Sequence, residues 1–373
     1  MDFRFSMPTE IFFGPECVTK NSAAFARYGS KALLVTGKHS AKVSGALADV
    51  EATLTQRGIA WRVFDGVSEN PTFAQVEAGA DAARQFWPDM IVAIGGGSPL
   101  DAAKAIALMA VNALPVAALF DGVYAQPPLP VLAIPLTAGT GSEVTPYAIL
   151  TDDEKQTKRS IATPAIFPAV AFLDARYTAS LSPQVTVHTA VDALSHLLEG
   201  YLSRLSTVLT DAVALAGVTV LAEVLPALKQ GVFSPADREK LLYASLLGGI
   251  VIAQTRTTAV HALGYSLTYF RQIPHGQANG LLMGEYLRYS LPVCPDKIAA
   301  LLSALKLNEV DDFSRLMTEL VGSGPALSEA EVARFAAIAV QAASVAWSPR
   351  ALDEAGLAAW LRASFAVEPG GNK

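Results

Sequence analysis

The chain has 373 residues, of which 51% are hydrophobic, and a formal net charge of -6 at pH 7. This length exceeds the size at which one hydrophobic core keeps growing, so two domains are expected. The negative charge and the lack of a basic run argue against nucleic acid or an anionic membrane as the main partner. Two distant cysteines, an acidic N-terminal segment and apolar stretches shorter than a membrane span predict a cytoplasmic protein.

Short apolar segments alternate with amphipathic segments in the first half of the chain. Strands are predicted at 31–36, 61–64, 90–94 and 131–135, and helices at 44–57, 73–86 and 101–111. This alternation is typical of a parallel sheet with helices on its faces. Because ligands of such sheets bind beyond the carboxyl ends of the strands, the loops that follow the strands are the candidate binding segments.

The pattern changes after about residue 178, where long Ala- and Leu-rich runs replace the strand signals. Helices are predicted at 187–203 and at 241–266. The best boundary lies at 181–183, which gives an α/β domain over 1–180 and an all-helical domain over 181–373.

Two loops after predicted strands have the composition of anion-binding loops. The segment GGGSPLD (95–101) follows one strand and TAGTGSE (137–143) follows the next. Glycine N–H groups and a helix N-terminus favour a pyrophosphate, although a plain strand-to-helix turn capped by Ser98 explains the first pattern as well. Two such loops on one sheet favour an extended dinucleotide, while the lack of GxGxxG weakens an ordinary Rossmann assignment.

The end of the first predicted strand indicates which dinucleotide binds. An NAD-selective site usually has an acidic residue here, which binds the ribose 2′-hydroxyl. This chain has Gly37, Lys38 and Ser40 instead, and the last two can hold a 2′-phosphate by charge and hydrogen bond. The pattern favours NADP(H) over NAD(H), with a solvated basic turn as the alternative.

Four potential metal ligands lie in the second half of the chain. Asp192 and His196 are four residues apart in a predicted helix, so their side chains project from one face. His261 lies in the helical run at 241–266, and His275 follows a proline at a loop or helix start. One carboxylate and three imidazoles suit Fe²⁺ or Zn²⁺ better than Mg²⁺ or Ca²⁺. Spacing alone leaves open that Asp192 caps a helix and that the histidines pack in a core.

Five segments, in this order, resemble the iron-containing (group III) alcohol dehydrogenase family: GGGSPLDAAKAIA, PLTAGTGSEVTPYAILTD, FLDARYTASLS, VDALSHLLEGYLS and VIAQTRTTAVHALGYSLTYFRQIPHG. The combination of VTGKHS, AGTGSEVTPY and HALGY is most similar to members that use NADP(H). The resemblance implies an α/β N-terminal domain with a parallel dinucleotide-binding sheet and an all-α C-terminal metal-binding domain. It also implies a homodimer or a higher homo-oligomer.

The resemblance further implies roles for individual residues. The implied metal ligands are Asp192, His196, His261 and His275, with Fe²⁺ as the common metal and Zn²⁺ in some members. The predicted cofactor-binding residues are Gly96, Gly97 and Ser98 at the pyrophosphate, Thr137, Thr140 and Lys158 on the ribose and nicotinamide side, and Gly37, Lys38, Ser40, Asn70 and Asp101. The predicted catalytic set is the four ligands and Tyr265.

Tyr265 is a departure from the family pattern. Many members have a further histidine four residues after the third ligand, discussed as a proton relay, and this chain has Tyr265 there. One helical turn beyond His261, its hydroxyl could donate a hydrogen bond near the substrate oxygen. The alternative is that its ring forms an aromatic wall of the substrate site.

These features predict an NAD(P)-dependent oxidoreductase acting on the CH–OH group of a small alcohol, or on the matching aldehyde. Hydride passes to or from nicotinamide, and the metal acts as a Lewis acid on the substrate oxygen. Alternatives on the same scaffold are a maleylacetate reductase, a glycerol dehydrogenase or a dehydroquinate-synthase-like enzyme, the last disfavoured by too few basic residues. A non-catalytic protein that binds metal and cofactor is the alternative from another class.

Overall fold

The computed structural model describes residues 2–368, which form two compact units. The N-terminal unit comprises Ser6–Leu181 and Ser234–Leu242. The C-terminal unit comprises Ser182–Phe233 and the described residues of Met1–Phe5 and Tyr243–Lys373. The simple domain limits of 1–180 and 181–373 stay a prediction, since short pieces of chain belong to the opposite unit.

The N-terminal unit contains strands and helices in alternation. Its elements are β1 Glu10–Phe13, α1 Cys17–Lys20, α2 Ala23–Ala26, β2 Lys31–Thr36, α3 Ser40–Val43, α4 Ala46–Gln56, β3 Ala60–Phe64, α5 Phe73–Phe86, β4 Met90–Gly95, α6 Gly97–Val111, β5 Val131–Pro135, β6 Tyr147–Asp152, β7 Thr157–Ala162 and β8 Val170–Leu173. Short 3-10 turns lie at Val116–Asp121, Ser142–Val144, Pro164–Ile166 and Ala175–Thr178. The predicted alternation is confirmed, whereas the antiparallel pair β6–β7 was not predicted.

Six strands form one parallel sheet in the order β1-β8-β5-β4-β2-β3. Alternate residues of β2 face opposite layers: Leu33 and Val35 pack with α5 and α6, while Ala32 and Leu34 pack with α1 and α4. Burial on both faces explains the continuous apolar strands of the sequence. The strand order reverses between β2 and β4, so the loops after β2, β4 and β5 follow neighbouring strands beside the point where such sheets bind ligands.

Over its described residues, the C-terminal unit is helical, as predicted, apart from one two-residue parallel pair. Its elements are α7 Pro183–Leu202, α8 Val208–Gln230, α9 Pro235–Thr255, α10 Ala259–Arg271, α11 His275–Ser290, α12 Pro295–Ala304, α13 Val310–Val321, β9 Leu327–Ser328, α14 Glu329–Ala339, α15 Glu354–Ser364 and β10 Val367–Glu368. The first eight residues of α9 belong to the N-terminal unit. A 3-10 turn spans Ala343–Trp347.

Two predictions for this half of the chain need correction. The single helical run at 241–266 is wrong, because α9 ends at Thr255, Arg256 adopts a left-handed φ of 61°, and α10 begins at Ala259. The apolar stretch of α8 is longer than expected. With 23 residues and a mean hydropathy of 1.9, α8 is long and apolar enough to meet the criteria for a membrane span. The core helix of a globular protein meets the same criteria, and Gly217 of α8 packs against Leu197 of α7.

Candidate metal centre and cofactor site

Helix α7 carries three acidic or imidazole side chains on one buried face. Ser182 caps the helix by accepting a hydrogen bond from the Val185 N–H at 3.2 Å, and Pro183 occupies the first turn. Asp192, His196 and Glu199 follow at spacings of four and three residues, which keeps them on the same side of the helix. All three are buried, and Glu199 has no exposed surface.

Helices α10 and α11 bring the other two histidines to this face. His261 lies in the first turn of α10, and His275 is the first residue of α11, directly after Pro274. Because α9 ends at Thr255 and α10 begins at Ala259, His261 lies in a first turn and not in the middle of one long helix. Of the two positions expected for His275, a loop or a helix start, the structure has the helix start.

Close backbone approach sets the positions of these helices. A Cβ atom on Gly276 would lie 1.8 Å from the carbonyl oxygen of His188 in α7, so only glycine fits there. A Cβ atom on Gly264 of α10 would lie 2.2 Å from the Asn279 Oδ1 of α11. Backbone contact with α7 thus requires the glycine that follows His275, and Gly264 leaves room for the Asn279 side chain.

The side chains of Asp192, His196, His261 and His275 converge. The Nε2 atoms of His196 and His261 are 3.0 Å apart, and Asp192 Oδ1 lies 3.9 Å from His261 Nε2 and 3.7 Å from His275 Nε2. Single ligand atoms of Asp192, His261 and His275 all lie within 4.8 Å of one another. Bonds of about 2.1 Å to one cation place neighbouring ligand atoms roughly 3.0 to 3.4 Å apart, so a small contraction would seat a divalent ion here.

The electrostatics of this cluster suit a cation. Burial alone would raise the pKa of Asp192, but three nearby imidazoles and a hydrogen bond from Asn279 hold it below its usual value. The carboxylate is therefore ionised and can act as a charged ligand. A donor set of one carboxylate and three imidazole nitrogens fits Fe²⁺ or Zn²⁺.

Two residues beside the cluster were missed by the sequence analysis. Asn279 Nδ2 lies 3.1 Å from Asp192 Oδ1 and 3.3 Å from the Nε2 atoms of both His261 and His275. Glu199 Oε2 forms a short hydrogen bond with His261 Nδ1. Helical spacing places both on the faces that carry the ligands, since Asn279 is four residues after His275 and Glu199 is seven after Asp192, but it does not show what they contact.

Two glycine-containing loops of the N-terminal unit pack against each other. A Cβ atom on Gly97 would lie 2.8 Å from the Thr140 methyl, and one on Gly96 would lie 3.1 Å from the Thr137 methyl. These four residues are partly exposed, and Gly96 and Gly97 form the N-terminus of the fifteen-residue helix α6. Their backbone N–H groups can therefore reach an anion.

Three more predicted cofactor residues form one hydrogen-bonded group. Lys158 Nζ donates to Asn70 Oδ1 at 2.6 Å, and the Asn70 N–H donates to Ser98 Oγ at 3.1 Å. Asn70 has a left-handed φ of 56°, a conformation that asparagine tolerates better than most residues. The structure thus joins the hairpin β6–β7 to the first glycine loop.

Asp101 lies beneath these loops instead of at the surface. It is buried, and its two carboxylate oxygens accept hydrogen bonds from Ser142 Oγ at 2.5 Å and from the Ile149 N–H at 2.9 Å. The fully buried Lys104 donates to Ser142 Oγ at 2.8 Å and to the Tyr147 carbonyl at 2.7 Å. Burial lowers the pKa of Lys104 and raises that of Asp101, against their mutual attraction.

The residues after β2 are at the surface. Lys38 and Ser40 are exposed, and Gly37 is partly exposed. A Cβ atom on Gly37 would lie 3.3 Å from the carbonyl oxygen of Val67. Lys38 is therefore free to reach solvent-borne phosphate.

Tyr265 lies beside two of the candidate ligands, His261 and His275. Its ring stacks on that of His275 with centroids 5.5 Å apart and packs edge-on to His261 at 6.3 Å. The side chain is partly exposed. The expected position one turn beyond His261 is thus confirmed, and both roles considered for Tyr265, proton donor and aromatic wall, fit this position.

Comparison with known proteins identifies the family. The family model described as iron-containing alcohol dehydrogenase matches residues 8–175, and that described as Fe-containing alcohol dehydrogenase family, C-terminal, matches residues 186–365. Probable alcohol dehydrogenase EutG of Escherichia coli (strain K12) is 31% identical over 94% of this chain and 88% of its own length. NADPH-dependent butanol dehydrogenase of Clostridium saccharobutylicum is 32% identical over 85% and 83%, respectively. A solved structure of an iron-containing alcohol dehydrogenase from Thermotoga maritima has a TM-score of 0.91 and 37% identity, covering 98% of this chain and 99% of that one.

The chain belongs to the iron-containing alcohol dehydrogenase family, and the resemblance seen in its sequence is confirmed. It is an NAD(P)-dependent oxidoreductase of the kind that acts on the CH–OH group of small alcohols and on the corresponding aldehydes. Membership in this family also implies the use of a metal.

Proposed function

We propose that the protein is a metal-dependent, NADP(H)-linked aldehyde reductase and alcohol dehydrogenase, with Fe²⁺ as the metal and Zn²⁺ as a possible substitute. The observation that carries the proposal is the convergence of Asp192, His196, His261 and His275, whose lone-pair atoms approach within 3.0 to 3.9 Å. A cation held there supplies Lewis-acid stabilisation of negative charge on the substrate oxygen. A homodimer or higher homo-oligomer remains part of the proposal, to be tested by light scattering.

The residues of the N-terminal unit bind and orient the dinucleotide in this proposal. The N–H groups of Gly96 and Gly97 hold the pyrophosphate, and Ser98, Thr137 and Thr140 add hydroxyl contacts. Lys158 is directed by Asn70 toward the ribose and nicotinamide side. The buried Asp101 accepts hydrogen bonds from Ser142 and from the Ile149 N–H of β6, so it stabilises the second glycine loop without touching the ligand.

The metal assignment is tested by anaerobic purification followed by elemental analysis and NADPH-linked reduction of a panel of small aldehydes and keto acids. His261→Ala should lose both bound metal and turnover, while its circular dichroism stays close to wild type. His39→Ala removes an exposed histidine outside the cluster and should keep the metal content unchanged. Full metal occupancy in His261→Ala would refute the ligand set.

The NADP(H) preference is supported by the exposed Lys38 and Ser40 after β2 and by the lack of an acidic residue at Gly37. One relative is named an NADPH-dependent butanol dehydrogenase. Lys38→Ala should weaken NADPH binding roughly tenfold or more, since a hydrogen bond to a charged group contributes about 1.5 to 3 kcal/mol, and should leave NADH nearly unchanged.

The matched control for this experiment is Lys42→Ala. Lys42 is a neighbouring lysine with an exposed side chain that pairs with Asp65 at 3.5 Å. The dissociation constants of both dinucleotides are measured for each variant by fluorescence titration. Equal weakening of NADPH and NADH by Lys38→Ala, or equal effects of the two lysine substitutions, would contradict recognition of the 2′-phosphate.

A further inference from the structure

Glu199 is a fully buried carboxylate next to the proposed metal ligands, and none of the site assignments includes it. Its Oε2 atom is hydrogen-bonded to His261 Nδ1, on the side of the ring opposite to the metal cluster. Its Oε1 atom accepts from the Thr258 N–H at 2.7 Å, from the Thr258 hydroxyl at 2.6 Å and, at longer range, from the His261 N–H at 3.4 Å. Both oxygens are therefore engaged by side-chain or backbone nitrogen and oxygen atoms of α10 and its N-cap.

The direction of each proton in this group follows from counting donors. The Thr258 hydroxyl donates to Glu199 Oε1 at 2.6 Å, and its oxygen also lies 3.1 Å from Tyr286 Oη. With Oε1 already an acceptor from two or three donors, Glu199 acts as a carboxylate, and its Oε2 accepts the proton of His261 Nδ1.

This arrangement determines the form of the imidazole. A neutral histidine carries one ring proton, so a proton on Nδ1 leaves Nε2 with the free electron pair that a metal requires. His261 Nε2 is the atom that lies 3.0 Å from His196 Nε2 and 3.9 Å from Asp192 Oδ1. The same carboxylate also caps the N-terminus of α10, where a negative charge is favourable, and so fixes the helix that carries the ring.

We propose that Glu199 is a positioning residue for the metal centre: through Thr258 and the His261 ring, it selects the tautomer that binds the cation and holds the ring in place. This inference rests on the metal site of the proposed function. Outer partners of metal-bound histidines commonly change metal affinity by about 10- to 100-fold when they are removed.

The test is Glu199→Gln, which keeps the size of the side chain but removes its charge and replaces one acceptor oxygen by an NH₂ donor. The glutamine amide must place its NH₂ either against His261 Nδ1, which moves the ring proton to Nε2, or against the donors of Thr258. We expect the Zn²⁺ dissociation constant, measured by chelator competition without dinucleotide, to rise about 10- to 100-fold. The visible absorption bands of the Co²⁺-loaded protein should also shift, because a changed ring orientation alters the ligand field.

The control for a merely structural effect is Val218→Ala, which removes two buried methyl groups from α8. It should lower the thermal stability of the metal-free protein without changing the Zn²⁺ dissociation constant or the Co²⁺ spectrum. Should Glu199→Gln fail to fold, the pair Thr258→Val and Thr258→Ser decides instead. The serine keeps the hydroxyl and should bind Zn²⁺ like wild type, and the valine should bind it at least several-fold more weakly.

Several outcomes would overturn the inference. The first is a Zn²⁺ dissociation constant within twofold of wild type together with an unchanged Co²⁺ spectrum in Glu199→Gln. The second is that Val218→Ala weakens Zn²⁺ binding as much as Glu199→Gln does. The third is that the two Thr258 variants bind Zn²⁺ with equal affinity. His261→Ala separates this inference from the proposed function. If His261→Ala loses Zn²⁺ and Glu199→Gln does not, only the role of Glu199 is wrong, whereas retention of Zn²⁺ by His261→Ala overturns both.

Discussion

The substitution Gly276→Ala tests how the fold constrains the proposed metal centre. The added Cβ atom would lie 1.8 Å from the His188 carbonyl oxygen, 2.7 Å from its carbonyl carbon and 3.1 Å from Asp192 Cβ. Two of these three contacts are with backbone atoms, so no side-chain rotation relieves them. To restore the shortest contact to about 3.0 Å, α7 and α11 must separate by about 1.2 Å.

This separation acts directly on the ligand set. His275 immediately precedes Gly276 on α11, and Asp192 is one turn beyond His188 on α7. Metal–ligand distances tolerate deviations of only about 0.2 Å, so a shift several times larger should remove high-affinity binding. Overpacking of this kind also costs about 1 to 3 kcal/mol of folding free energy, which corresponds to about 2 to 4 °C in Tm per kcal/mol for a domain of this size.

The assay combines metal stoichiometry after dialysis with calorimetric unfolding. Gly284→Ala is the matched control, because it lies on the same helix and the contacts of its Cβ atom below 3.4 Å would be with side-chain atoms of Ser314, Oγ at 2.5 Å and Cβ at 3.3 Å. The control should keep its metal and lose little stability, since alanine also favours the helical state by up to about 1 kcal/mol. Wild-type metal content and an unchanged Tm in Gly276→Ala would refute the geometric reasoning.

Three further predictions concern buried or partly buried polar side chains. Lys104→Met should destabilise the N-terminal unit by about 3 to 5 kcal/mol in urea unfolding and weaken dinucleotide binding, because it leaves Asp101 buried without its cation; a loss below 1 kcal/mol would contradict this. Burial raises the pKa of Glu143 from 4.5 to about 7, so the folded state holds the proton more tightly than the unfolded chain. Stability should then fall as the pH rises from about 4.5 to about 7, and Glu143→Gln should remove that part of the pH dependence; parallel curves for both proteins would argue against it. Tyr265→Phe keeps the ring and removes the hydroxyl, so a proton-donor role predicts a changed pH–rate profile and a lower kcat, whereas an unchanged profile and kcat would remove Tyr265 from the proton path and leave it as an aromatic wall.

Parts of the fold were predictable because local pattern and tertiary environment agree. The predicted strand at 31–36 and helix at 73–86 have the limits found for β2 and α5. β2 is buried on both faces and reads as a continuous apolar run, and α5 begins with a capping box formed by Thr72 and Gln75. The hairpin β6–β7 was missed because one of its strands, TKRSIA, is mostly polar and partly exposed.

The break between α9 and α10 shows where local reasoning fails. The segment QTRTTAV contains neither glycine nor proline, so only its five consecutive polar residues, 254–258, interrupt the apolar pattern. The break depends on a distant residue, since the Thr258 N–H that would bond within a continuous helix donates to Glu199 instead. A contact across 59 residues of sequence thus ends one helix and begins another.

The same contact explains why the ligand set was easier to predict than its support. The spacing of four residues between Asp192 and His196 in one helix can be seen in the sequence alone. Glu199 lies on the same face of that helix, yet its role depends on a hydrogen bond to His261 on another helix, and a lone buried glutamate gives no sign of its partner. The residue types therefore indicate the candidate ligands, whereas the proposed tautomer of His261 depends on the packing of α7 against α10. We therefore expect a site transplanted with its four ligands but without Glu199 and Thr258 to bind its cation at least tenfold more weakly than this protein does.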